Sequence, residues 1–266
     1  MPITETNLAP ATTTEMMTIA SARLLKDHQV CFVGIGLPSA AANLARLTHA
    51  PNVVLIYESG PIGSKPGVLP LSIGDGDLAE SADTVVSTPE IFRYWLQGGR
   101  INVGFLGAAQ IDRYANLNTT VIGNYGKPKT RLPGAGGAPE IASSAQEVFV
   151  IVRHSKRTFV DRVNFVTSIG FGEGGDHRKR LELPGAGPTT VVTDLCIFHP
   201  DPMTRELTVT GLQVGVTQNQ VREATGWPVQ FATNMGTIPP ATEPELSTLR
   251  DLQRRTMIAH GNVSGE

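Results

Sequence analysis

The stretch Val53-Val54-Leu55-Ile56-Tyr57-Glu58-Ser59-Gly60-Pro61-Ile62-Gly63 carries a carboxylate from an apolar run straight into a turn of Ser, Gly and Pro. A buried strand that ends on Glu58 holds the side chain on a rigid element, and the glycines after it let other groups come close. By itself the segment equally fits a glutamate that opens a surface loop. The flanking sequence decides between the two readings.

Upstream, Gln29 to Val33 is a short β run, Gly34-Ile35-Gly36-Leu37-Pro38-Ser39 a turn, and Ala40 to Leu47 an Ala-rich helix. Strand, turn and helix form one βα unit whose next strand delivers Glu58, which predicts an α/β domain. The turn reads G-x-G-x-x-S where a dinucleotide fingerprint has a third glycine, so NAD binding is not expected. Before it, Thr14-Glu15-Met16-Met17 opens a helix through Leu25. Residues 1–13 read as a flexible N-terminal arm, leaving 14–266 as a single domain.

Downstream, the Gly-, Pro- and Asp-rich segment from Gly63 to Leu78 reads as a long loop, Thr88 to Gly98 as a helix, and Val103 to Leu106 as a strand. Asp112 to Asn118 reads as a loop and Thr119 to Ile122 as a β run. In the turn-rich segment after it, Lys127, Lys129 and Arg131 alternate. Then comes Gly134-Ala135-Gly136-Gly137-Ala138-Pro139-Glu140 ahead of a helix from Ile141 and a strand, Val148 to Val152. A glycine run before a helix exposes several backbone N–H groups, as an oxyanion or phosphate site requires, although many such turns are only tight connections. Further β runs are expected at Thr158 to Val160, Phe165 to Ser168, Thr189 to Asp194, Cys196 to Phe198 and Glu206 to Leu212. Helices are expected at Thr217 to Thr225 and Pro244 to Ala259. The run His177-Arg178-Lys179-Arg180 reads first as a solvated face.

A chain of 266 residues with a formal charge of -2 buries a substantial core and presents no global basic surface, so neither nucleic acid nor an anionic membrane is the expected partner. Cys31 and Cys196 each sit in an apolar run and read as reduced core residues of a cytoplasmic protein. The six histidines show no HxxxH pairing and there is no CxxC, so no metal site is expected. No apolar run reaches the ~18 residues of a membrane span.

Gly34 to Pro38, Glu58-Ser59-Gly60, Gly107-Ala108-Ala109-Gln110-Ile111-Asp112 with Asn116-Leu117-Asn118, and Gly134 to Ala138 follow one another in an order that resembles the β subunit of class I coenzyme A transferases. Thr193-Asp194-Leu195 and the Val221 to Gly226 helix end extend the likeness over roughly residues 14 to 230. Tyr57-Glu58-Ser59-Gly60 and Gly136-Gly137-Ala138-Pro139-Glu140 stand where oxoacid transferases have Ser-Glu-Asn-Gly and Gly-Gly-Ala-Met-Asp, which is closer to the glutaconate-type branch.

The resemblance implies an open three-layer α/β/α domain with a mainly parallel sheet. It implies that Glu58 is the nucleophile that carries CoA as a γ-glutamyl thioester, and that Gly136, Gly137 and Ala138 form the oxyanion loop. The implied substrates are an acyl-CoA and a carboxylic acid, with succinyl-CoA as donor and a dicarboxylic oxoacid such as 3-oxoadipate as acceptor. Coenzyme A is then substrate and covalent intermediate, with no permanently bound cofactor. Lys127, Lys129, Arg131, Arg178 and Arg180 are candidates for the CoA phosphates or a distal carboxylate. The chain lacks a Gly-Gly-Phe-Gly-like segment of the α type, so a separate α subunit is implied, in a heterodimer or heterotetramer. Two other readings remain: a ring-opening hydrolase subunit of the same fold, and a sensor built on the same plan.

Overall fold

Thr12 opens the first helix through a capping box: its hydroxyl accepts the Glu15 N–H at 3.2 Å and the Glu15 carboxylate accepts the Thr12 N–H at 2.7 Å. The computed structural model describes residues 9–261. The expected N-terminal arm therefore falls mostly outside the described residues, and Thr13 already belongs to helix α1 (Thr13–Ala22). There follow β1 (Val30–Phe32), α2 (Leu37–Leu47), β2 (Val54–Ile56), β3 (Pro61–Ile62), α3 (Gly76–Glu80), β4 (Thr84–Val85) and α4 (Thr88–Glu90). Next are β5 (Val103–Leu106), β6 (Gln110–Ile111), β7 (Leu117–Asn118), β8 (Val121–Gly123), β9 (Pro128–Arg131), α5 (Ala138–Ser144) and β10 (Glu147–Ile151). The chain ends with α6 (His177–Arg180), β11 (Pro188–Val192), β12 (Cys196–Pro200), β13 (Leu207–Leu212), α7 (Gln218–Ala224), β14 (Gln230–Thr237) and α8 (Glu243–Ala259).

Ten strands form one sheet in the order β14-β13-β12-β11-β10-β5-β1-β2-β3-β4. The inner strands β11, β10, β5, β1 and β2 are all parallel. Antiparallel pairs flank them on both sides, and β14 returns parallel to β13 at one edge. Alternate residues of the inner strands serve two separate cores. Cys31, Leu55, Val103, Phe105, Phe149 and Ile151 pack under α1, α2 and α8. Phe32, Ile56, Val148 and Val150 pack with Ile91, Leu96, Ile141 and Ala142 on the opposite face. This period of two with helices on both sides is the expected three-layer α/β/α arrangement. Both cysteines are free and buried in these layers. No helix among the described residues is long and apolar enough to cross a membrane.

Several elements differ from expectation. The helix expected over Thr88 to Gly98 is a single α turn followed by a π-helical segment, Ile91 to Leu96, in which Gln97 N–H bonds Phe92 C=O at 2.8 Å and Arg100 N–H bonds Trp95 C=O at 2.9 Å. In an α-helix residues five apart diverge by about 140°; the wider turn lets Ile91 and Leu96 both be fully buried in one core. The expected β runs at Thr158 to Val160 and Phe165 to Ser168 reduce to single bridges, Ile111 with Phe159 and Leu117 with Ser168. The expected loop from Asp112 to Asn118 closes a hairpin of β6 and β7.

The basic run at 177–180 needs the largest correction. Arg178 is only 6% exposed and cannot serve the CoA phosphates, because its guanidinium is committed to backbone carbonyls: Nε to Gly185 (2.8 Å), Nη1 to Gly170 (3.0 Å), and Nη2 to Ala142 (2.7 Å) and Ser143 (3.2 Å). Burial lowers it to about 10, so it stays charged at neutral pH. It thereby satisfies carbonyls of the last turn of α5. Arg178→Ala is expected to lower the unfolding free energy by about 3 kcal/mol or more, because it orphans several buried carbonyls. Arg180→Ala, at an exposed partner of Asp176, should cost under about 1 kcal/mol by the same denaturant titration.

His154 is a second buried polar anchor, with Nε2 3.0 Å from the Thr225 hydroxyl and its ring stacked 3.9 Å from Phe159. Burial holds its imidazole down at about 4, against the pull of the Asp194 charge. The unfolded chain therefore takes up this proton first, and the stability His154 contributes is complete above pH 6.5 and lost as pH falls toward 4. Glu15 and Glu245, held at about 2 chiefly by Arg250 and Arg23, lose theirs only below about 4.5. Urea unfolding between pH 6.5 and 4.5 is expected to show a falling stability that flattens in His154→Gln. Burial lowers His199 as well, and the comparison with the variant separates the two.

Candidate active site

Strand β2 ends at Ile56, and Tyr57 is fully buried on the α1, α2 and α8 side, its hydroxyl 3.3 Å from the Ser39 hydroxyl of α2. Asn43 donates to the Ser39 carbonyl at 3.0 Å and steadies that end of α2. The chain then turns: Gly60 N–H bonds Tyr57 C=O at 3.0 Å, and Tyr57 N–H bonds Pro61 C=O at 3.1 Å. Gly60 has φ +120°, and a Cβ there would run into the carbonyl oxygen of Val86, so only glycine fits. Between these fixed points Glu58 is half-buried. Ser59 Oγ donates to the Ile73 carbonyl and ties the long loop to the same turn.

The glycine loop meets Glu58 directly. A Cβ on Gly137 would lie 3.3 Å from Glu58 Oε1 and 2.7 Å from Phe92 Cζ, so carboxylate, aromatic ring and loop backbone share one point in space. Gly134 and Gly136 have φ of +107° and +49°, which bend the loop into α5. The Ala138 N–H is spent on the Ala135 carbonyl at 3.1 Å. Among the described residues, no protein acceptor takes the N–H of Gly136 or Gly137. Of the three residues expected to donate, Gly136, which is exposed, and Gly137, which is buried, thus keep N–H groups with no protein acceptor among the described residues, and Ala138 does not.

The loop is anchored at both ends. Thr119 clasps Gly134, its carbonyl accepting the Gly134 N–H at 2.8 Å and its hydroxyl donating to the Gly134 carbonyl at 2.7 Å. Arg178 holds the far end of α5 through the Ala142 and Ser143 carbonyls. Thr119 in turn follows a buried amide network. Gln110 Oε1 accepts from Asn118 Nδ2 (2.8 Å) and the Asn164 N–H (3.1 Å), while Asn118 Oδ1 accepts the N–H groups of Thr120 and Val121 at 3.0 and 3.2 Å. Asp112 likewise receives the N–H groups of Tyr114 and Asn116 at 3.1 and 3.0 Å. Gln110 and Asn118 thus brace the start of the β8–β9 hairpin, and Asp112 and Asn116 brace the loop at Gly170 and Gly172.

That hairpin carries three of the expected basic residues. Lys129 and Arg131 lie two apart on β9, on one side of the strand, and Lys127 sits in the turn before it; all are exposed. Arg131 lies 4.6 Å above the Tyr125 ring and donates to the Tyr125 carbonyl at 2.9 Å, and Tyr125 stacks on Phe165 at 5.4 Å. Arg180 is exposed beside Asp176 on α6. Glu58 and the loop thus come together, the hairpin cations lead into the loop, and Arg178 belongs to the core. Phe92 and Thr119 were not singled out from the sequence; a π turn leaves no distinct pattern, and a threonine in a β run signals nothing by itself. Pockets of about 700, 500 and 500 Å³ lie elsewhere, and neither Glu58 nor Gly137 lines them.

The sequence profile for coenzyme A transferase matches residues 14–224. The chain is 66% identical over 254 residues to the B subunit of 3-oxoadipate CoA-transferase from Pseudomonas knackmussii, covering 96% of this chain and 98% of that one. It is 36% identical over 222 residues to the B subunit of glutaconate CoA-transferase from Acidaminococcus fermentans, covering 81% and 83% respectively. The crystal structure of glutaconate coenzyme A-transferase from the same organism superposes with a TM-score of 0.85 at 32% identity, over 91% of this chain and 94% of that one. Because the matched span contains Glu58, the glycine loop and the strands that bring them together, the chain belongs to the coenzyme A transferase family.

Proposed function

We propose that this chain is the nucleophile-bearing subunit of a transferase that moves CoA from succinyl-CoA to 3-oxoadipate, with the site completed by a separate α subunit. The observation that carries the reading is the Glu58 carboxylate facing Gly137, with Oε1 3.3 Å from the position of a Cβ on that residue. The 3-oxoadipate acceptor follows the 66% identical relative, which is itself one subunit of its enzyme and so supports a separate partner here. The two free, buried cysteines fit a reducing cytoplasm.

In this mechanism the Glu58 carboxylate attacks the thioester carbonyl and expels CoA thiolate, leaving a mixed anhydride. The thiolate attacks the glutamyl carbonyl, releases succinate, and leaves CoA on Glu58 as a γ-glutamyl thioester. The incoming carboxylate then repeats both steps in reverse and departs as its own CoA ester. Each addition places negative charge on a carbonyl oxygen, for which the N–H groups of Gly136 and Gly137 are the fixed donors; losing one such donor typically costs about 10²–10³ in rate. Lys129 and Arg131 are available for a second carboxylate or the CoA phosphates.

Glu58→Ala is expected to fold, assemble with its partner and lose transfer by at least about 10³-fold. The wild-type complex mixed with succinyl-CoA alone should gain the mass of CoA less water on this chain. A variant that still forms the adduct, or a wild type that never does, removes Glu58 from the role. Against a panel of acids, kcat/KM for 3-oxoadipate should exceed those for glutaconate and acetoacetate by about tenfold or more. Preference for glutaconate would move the chain to the other substrate class among its relatives.

A further inference from the structure

The π-helical segment from Ile91 to Leu96 has no part in the chemistry as written, yet such segments recur at functional sites. Ile91 and Leu96 anchor it in the core, and between them Phe92 is only half-buried. Its ring packs on Phe32 at 6.1 Å and ends over Gly137, with Cζ 2.7 Å and Cε1 3.0 Å from where a Cβ would stand. Glu58 Oε1 faces that same point at 3.3 Å. The glycine at 137 leaves room for the ring.

We propose that Phe92 is a shielding residue that keeps water from the Glu58 carbonyl while it is acylated, and so decides whether the complex transfers CoA or hydrolyses its ester. The inference rests on the covalent role of Glu58. Once CoA is on Glu58 the side-chain carbonyl is activated toward any nucleophile, and Glu58 is partly open to solvent. Water adding to that carbonyl, losing a proton to solvent and expelling CoA thiolate, would restore the carboxylate. The net reaction is acyl-CoA and water giving acid and CoA. An apolar ring edge beside the carbonyl excludes the water and makes no polar contact that would hinder an incoming acid.

The test uses the complex with its α subunit and compares acceptor-independent hydrolysis of succinyl-CoA with transfer to 3-oxoadipate. Phe92→Ala is expected to raise the hydrolysis-to-transfer ratio by about tenfold or more, and Phe92→Leu to stay within about threefold of wild type. General loosening of the fold would lower both rates together and leave the ratio unchanged. A Phe92→Ala complex that assembles and keeps the wild-type ratio overturns the inference; if it fails to assemble, Phe92→Val is read in its place. Mass measurement of wild type with succinyl-CoA alone separates the two levels. An adduct together with an unchanged ratio sinks the role of Phe92 only, whereas no adduct sinks the covalent reading and the shield with it.

Discussion

Burial of Tyr57 is the constraint on which the site depends. A phenol fully removed from water must place its hydroxyl against a polar partner, and Ser39 on α2 provides one. That contact fixes which face of the sheet the last side chain of the strand run occupies. The chain turns directly after Tyr57, and in that turn Glu58 comes to the layer that holds α5 and the π turn, its Oε1 3.3 Å from the position of a Cβ on Gly137. The carboxylate thus sits one residue beyond a tyrosine fixed in the core.

The glycine loop depends on a comparable arrangement. Glycines with positive φ have many accessible conformations, and a loop built from them needs external restraint to present its N–H groups in one direction. Thr119 restrains its start through two hydrogen bonds to Gly134, and Arg178 restrains the helix that follows it from the opposite end. Both restraints are made to the backbone, and among the described residues neither the Gly136 nor the Gly137 N–H is taken by a protein acceptor. Preorganisation here is a matter of clamping the flanks.

Much of this architecture was legible in the sequence. The apolar run into Glu58, the Ala-rich helix before it and the glycine run before α5 have local signatures, and the order of motifs disclosed the family. The remainder depends on tertiary geometry. His177 to Arg180 has the composition of a solvated face, and only the convergence of carbonyls from α5 and two glycine loops draws Arg178 inward. β3 and β4 are two residues each, too short for a period to show, and β14 alternates poorly because it forms the sheet edge with most of its side chains exposed. Phe92 sits in a stretch that reads as ordinary helix, since nothing in its composition reports an i→i−5 bond.

The π turn also bears on how such a site could change over generations. A segment that repeats every five residues through its hydrogen bonds holds one residue more than the α-helix that would span the same core. Deleting one residue between Phe92 and Leu96 would return the segment to i→i−4 bonding and rotate the chain beyond it by about 100° relative to the chain before it. The aromatic ring over Gly137 and the Leu96 anchor could then not both keep their places. A single codon lost or gained in this segment is therefore a short genetic path to moving the aromatic ring off Gly137, with sheet, glycine loop and Glu58 all left as they are.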